Sequence, residues 1–143
     1  MSPHSQWLLI TSRAWWDALR AKEQWAFSRS VAHRLRIKSG DVAIVYLTAD
    51  GGDPGIGGIV RFTDGKLWEA QDGTIFGHQY PVRTQIEVLS SAPFERPFRR
   101  FIERLQFIQH KRNWGAHFQG IPIRELSPED AAVLHEAFPE VSI

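Results

Sequence analysis

The stretch Ile37-Lys38-Ser39-Gly40-Asp41-Val42-Ala43-Ile44-Val45-Tyr46-Leu47 decides the fold class. Gly40 and Asp41 make a turn, and the six residues after it form an unbroken apolar, β-branched run, the pattern of a buried strand. Ala49-Asp50-Gly51-Gly52-Asp53-Pro54 is a loop by composition. Gly55-Ile56-Gly57-Gly58-Ile59-Val60-Arg61-Phe62 returns as a second strand, paired with the first like a hairpin. Its glycines allow a bulge or a close backbone approach.

Upstream, Trp7-Leu8-Leu9-Ile10-Thr11 reads as a strand, and Ser12 stands as the N-cap of a helix carrying Ala14-Trp15-Trp16-Asp17-Ala18-Leu19. Downstream, a polar connection surrounds Leu67-Trp68-Glu69. The alternation of Tyr80 to Leu89 then predicts a half-exposed strand, with Pro81 marking its start or a sheet edge. Phe98, Phe101, Ile102 and Leu105 recur at three- and four-residue steps, which predicts an amphipathic helix. A short strand follows, and Ser127-Pro128-Glu129-Asp130 opens a last helix that Pro139 stops. The order lacks both regular β-α alternation and a repeat period, so the expectation is one α+β, barrel-like domain over residues 1–143.

With no cysteine in the chain, disulfides and thiolate metal sites are excluded. No signal-peptide pattern and no long apolar run occur, which predicts a soluble, cytoplasmic protein. The net charge is only +1, but the basic residues cluster. Seven lie between Arg13 and Lys38 against Asp17 and Glu23, and six between Arg96 and Arg112 against Glu103. If the two stretches meet in space they form a patch for a polyanion; otherwise they are the solvated faces of two helices.

Signatures of catalysis are missing. The glycines at 51 to 58 separate two strands rather than a strand and a helix, and no phosphate-loop pattern is present. The six histidines show no metal-ligand spacing, and no Ser nucleophile elbow occurs. The expectation is a protein that is not an enzyme and holds no metal or cofactor.

Six tryptophans are more than one small core needs, so some are expected to line a pocket. Trp25 stands out because Lys22-Glu23-Gln24-Trp25-Ala26-Phe27 has little periodicity and charged neighbours, as a loop would.

The segments W-L-L-I-T-S-R-A-W-W, I-K-S-G-D-V-A-I-V-Y, G-I-G-G-I-V, Y-P-V-R and L-Q-F-I-Q-H-K-R-N-W-G-A-H-F-Q-G-I-P-I-R-E-L-S-P-E-D, taken in this order, resemble the EVE family. That family is similar to the YTH domains. The resemblance implies a PUA-like twisted mixed β-barrel flanked by helices, with a cleft that accepts a base. It also implies a nucleic-acid partner, DNA or RNA, bearing a modified base such as methylated cytosine or adenine; a monomer is expected. By resemblance Trp25 matches a cage tryptophan, and Thr11 and Ser12 match the polar pair ending the first strand. Many relatives carry Asn at the position of Ser12. Tyr46, Leu47 and Thr48 match a strand end beside the cleft, and Asn113 and Trp114 a motif at its mouth. Trp68, Phe76 and Tyr80 are candidates for a second aromatic wall. Arg29, Arg34, Arg36, Lys111 and Arg112, from the two basic stretches, are the expected phosphate contacts. Two other readings remain at this point: a cleft for a free nucleoside or other small aromatic ligand, and an exposed aromatic patch for a protein partner.

Overall fold

The structure is a computed structural model, and it describes residues 4–33, 35–48, 54–70, 80–108 and 122–141, without the side chains of 92–96. The described strands are β1 (Gln6–Thr11), β2 (Gln24–Phe27), β3 (Val42–Leu47), β4 (Gly55–Phe62), β5 (Trp68–Glu69), β6 (Val82–Pro97) and β7 (Ile123–Leu126). The helices are α1 (Arg13–Lys22), α2 (Arg29–Ala32) and α3 (Pro128–His135), with a 3-10 helix over Phe98–Arg104. The sheet runs β2-β6-β4-β3-β1-β7, and β5 adds to β6. β1 and β3 are parallel and the other pairs antiparallel.

The strand expected at Val42 to Leu47 lies between β1 and β4 and is buried at every residue. Its continuous hydrophobicity serves two cores, because successive side chains point to opposite faces. Leu8, Ile44, Tyr46, Ile56 and Ile59 face the 3-10 helix and α3, meeting Phe98, Ile102, Leu134 and Phe138. Leu9, Ala43, Val45, Leu47, Val60 and Phe62 face the other way, into a core with Trp16 and Leu19 of α1 and Trp25 and Phe27 of β2.

Local signals in the chain explain the element ends. Gly40 takes φ +87, a left-handed conformation that suits glycine, and its N–H donates to Phe62 O at 2.8 Å. Asp41 is fully buried, and its carboxylate accepts from Ser5 N, Lys38 N and the Trp7 indole at 2.9–3.1 Å, tying the turn to the start of β1. Ser12 Oγ accepts from Trp15 N and Ser127 Oγ from Asp130 N, so both expected N-caps are present. The Asp130 carboxylate in turn accepts from Gln106 N at 2.7 Å and Phe107 N at 3.2 Å, joining α3 to the chain after the 3-10 helix.

Two elements differ from the sequence expectation. The segment at Trp25 is not a loop: α1 ends at Glu23 in a left-handed conformation (φ 54), and the chain reverses into β2 along β6. The amphipathic segment at Phe98 winds as a 3-10 helix. Its Pro97 cap provides no side-chain hydrogen bond, and three residues per turn stack Phe98 on Phe101 toward the core. Pro81 marks a strand start as expected, and the strand it precedes, β6, lies between β4 and β2.

Candidate functional site

The parallel strands β1 and β3 end together at Thr11 and Leu47. Thr48 N donates to Thr11 O at 2.9 Å, and the Arg13 guanidinium donates to Thr48 O, which holds the two strand ends and the start of α1 as one unit. Ser12 spends one lone pair of its hydroxyl on the helix cap. A hydroxyl also carries a proton and a second lone pair, so Ser12 retains hydrogen-bonding capacity at this end of the sheet.

Four aromatic side chains gather beside α1. Trp16 and Trp25 meet with ring centroids 6.1 Å apart and planes tilted by 45°. Trp15 meets Tyr80 edge to face at 4.7 Å. Trp16 lies against the backbone of β4, where the register with β3 slips between Val45 and Tyr46 and leaves Gly57 as the extra residue of a bulge. A Cβ on Gly58 would sit 2.6 Å from Trp16 Cζ2 and 2.9 Å from Ser90 O, so only glycine admits the indole. The G-I-G-G pattern therefore serves a tryptophan seat.

The structure brings some of the expected pocket residues together and separates others. Thr11, Ser12 and Thr48 share the strand end. Trp25 lies on the α1 face, 3% exposed, inside the core with Trp16. Tyr46 points to the opposite face, where it meets Phe98 edge to face at 4.8 Å. Burial pushes its phenol up to about 12, against a smaller downward pull from Arg13, so it stays neutral at physiological pH. The resemblance grouped Tyr46 and Trp25; strand alternation puts the sheet between their rings. Trp68 lies on β5, 41% exposed, and faces Arg83 in register, whereas Trp25 faces the next residue, Thr84. Successive β6 side chains alternate faces, so Trp68 and Trp25 do not form two walls of one cage. Tyr80 does join the α1 face through Trp15. Asn113, Trp114 and Phe76 lie outside the described residues.

The described part of the basic stretches does not converge. α1 and α2 cover one face of the sheet and the 3-10 helix the other. Arg29 pairs with Glu69, Arg36 is exposed, and Arg104 pairs with Glu136. Arg34, Lys111 and Arg112 lie outside the described residues. Among the described residues no group of three or more His, Asp or Glu is placed to hold a metal, and no helix is long and apolar enough to cross a membrane. Sequence reading missed Trp16 as the partner of Trp25, although the W-W pair and the glycine run together were its signal.

A curled mixed sheet with α1 on one face and α3 on the other defines a PUA-like half-barrel. The fold is similar to that of the DUF55 domain of human thymocyte nuclear protein 1, in line with the resemblance read in the sequence. No protein-family profile matches the chain. A UPF0310 protein of Pyrococcus abyssi is 29% identical over 138 residues, covering 88% of this chain and 94% of that protein. The YTH domain of Zygosaccharomyces rouxii MRB1 protein, solved in complex with N6-methyladenosine RNA, superposes with a TM-score of 0.69. It is 12% identical and covers 97% of this chain and 89% of that one. Human THYN1 protein, in complex with 5-methylcytosine-containing DNA, gives a TM-score of 0.58 at 11% identity, covering 93% of this chain and 96% of that one.

Proposed function

We propose that this domain is a non-catalytic, monomeric, cytoplasmic reader of nucleic acid carrying a modified base. The base would seat on the α1 face, against Trp25 and beside Thr11, Ser12 and Thr48. The observation that supports this best is a fold shared over nearly the whole chain with two domains held in methylated RNA and methylated DNA. The aromatic cluster beside α1 adds a local reason: its indoles suit a planar ligand, and the Ser12 hydroxyl that caps α1 keeps a proton for a polar edge.

Stacking on an indole contributes about 1–3 kcal/mol per base. The added methyl contributes about 0.8 kcal/mol, a several-fold preference, when its wall is apolar. Because Trp25 is 3% exposed, the base must displace side chains to reach it; a base in a duplex must also be flipped out of its stack, so unpaired bases are favoured. Exposed Arg36, with Arg29 once released from Glu69, would hold phosphates without reading sequence.

The test is anisotropy binding of short single strands, plain or carrying one 5-methylcytosine or one N6-methyladenosine, at two salt concentrations and with free nucleosides as competitors. Preference for one modified strand, weakened by salt, is the expected result. Binding to free nucleoside with no salt dependence would replace the reader with a small-molecule site. Trp25→Ala is expected to lower the preferred affinity by about 10-fold or more and to erase discrimination. Arg36→Ala should weaken plain and modified strands alike and reduce the salt slope by about 1.

A further inference from the structure

Thr84 of β6 stands directly opposite Trp25 of β2 in their antiparallel register. Opposed residues of such a pair have Cβ atoms roughly 4.5–5.5 Å apart on one face of the sheet. The Thr84 side chain and the Trp25 indole are therefore neighbours on one wall. Thr84 is 0% exposed, and its Oγ1 is buried without a hydrogen-bond partner among the described residues. Val82 and Ile86, which precede and follow it on the same face, are apolar members of that core.

A valine at 84 would fill nearly the same space without burying an unpaired hydroxyl, which destabilises a fold wherever it stays unsatisfied. Folded proteins pair the large majority of their buried polar side-chain atoms, so an orphan of this kind asks for an explanation. Its position supplies one. A base stacked on Trp25 spends its face on the indole and leaves its edge to the strand alongside, and β6 presents one hydroxyl there.

We propose that Thr84 is a specificity-determining residue of the base pocket, its Oγ1 exchanging a hydrogen bond with the polar edge of the base that stacks on Trp25. This rests on the modified-base reading above. A hydroxyl both donates and accepts, so Thr84 can meet an exocyclic amine or a ring nitrogen or carbonyl. The hydrogen bond is made only in the complex; the fold carries the hydroxyl at a cost in stability and recovers it on binding.

The experiment compares wild type, Thr84→Val and Thr84→Ser in the full chain, by thermal melting and by anisotropy binding of the single strands carrying 5-methylcytosine or N6-methyladenosine and their plain counterparts. Thr84→Val is expected to melt about 2–4 °C above wild type. Its affinity for the strand wild type prefers should fall about tenfold. Thr84→Ser, which keeps the hydroxyl, should bind that strand within about twofold of wild type. Undiminished binding and discrimination by Thr84→Val overturns the inference and leaves the reader reading standing. A Thr84→Val protein that melts lower and loses binding in proportion overturns it too, since Thr84 is then a packing residue. A wild type that binds none of the four strands overturns the reader reading and this inference together.

Discussion

The face of the sheet beneath the 3-10 helix and α3 is filled by Leu8, Ile44, Ile56, Ile59, Phe98, Ile102, Leu134 and Phe138, with Tyr46 as its phenol. The face beneath α1 is filled by Trp7, Trp16, Trp25, Leu9, Val45 and Phe62, with Thr11 and Thr84 buried among the strands that bound it. The first face is mostly hydrocarbon, and its buried Asp130 carboxylate is already met by Gln106 N and Phe107 N. Indoles and hydroxyls on the second bring donors and acceptors that each need a partner. One face is thus suited to holding the fold and the other to meeting a ligand, although the same strands supply both.

That division can be broken by mutation. The largest effect is expected at Phe98→Ala, which removes a fully buried ring from the hydrocarbon face and should cost about 3–5 kcal/mol in urea unfolding. If the faces are separable, the molecules that remain folded keep their relative affinity for modified and plain strands. Gly58→Ala attacks the other face. Its Cβ would push the Trp16 indole off the bulge, for an expected loss of about 1–3 kcal/mol and a change in tryptophan fluorescence. Equal discrimination in that variant would mean that the seat of Trp16 does not shape the pocket. Glu23→Gly relieves a non-glycine residue at φ 54 and should raise stability by about 0.5–1 kcal/mol, leaving the α1–β2 reversal in place.

The smallest effect is a pH slope from the hydrocarbon side. His135, at the end of α3, has a pKa pushed below its ordinary value by burial, and its Nε2 has no partner among the described residues. The folded protein then binds fewer protons at this site than the unfolded chain. Its contribution to stability is complete above the ordinary histidine value and is lost as pH falls through the lowered one. Urea midpoints at about pH 7.5 and about pH 5.5 should differ less in His135→Gln than in wild type. An unchanged difference would assign the slope to other groups. The neighbouring Arg104–Glu136 pair, exposed on both sides, is expected to contribute little at either pH.

Much of this fold was readable because its signals are local. The apolar run at Val42, the Ser12 and Ser127 caps and the bulge-permitting glycines of β4 state their own conformations within a few residues. β2 was not readable. Gln24 to Phe27 is too short to show a period, and it is a strand because it pairs with β6, some 60 residues away. The Phe98 segment showed its buried face correctly, but a four-residue step and a three-residue step look alike over two turns, so the choice of a 3-10 helix was invisible.

The candidate site divides in the same way. Thr11, Ser12 and Thr48 are adjacent in the chain or in the parallel register, and their grouping follows from the strand ends. Tyr46 was grouped with Trp25 because both resembled pocket positions; which face each occupies depends on strand parity across two different pairings. Thr84 carries no signature at all in sequence. A threonine in a half-buried strand is ordinary, and only its register opposite Trp25 and its unpaired hydroxyl distinguish it.

β1 is early in the chain, yet it lies between β3 and β7, the latter the last of the described strands in sequence order. During synthesis one edge of β1 can pair as soon as β3 emerges, whereas the other stays open until residues 123–126 leave the ribosome. Until then the nascent chain exposes the backbone of Trp7, Leu8 and Leu9, an apolar edge that can recruit another strand. The closing of β7 over that edge replaces it with a short strand that carries Arg124 and Glu125, a charged edge that invites pairing less.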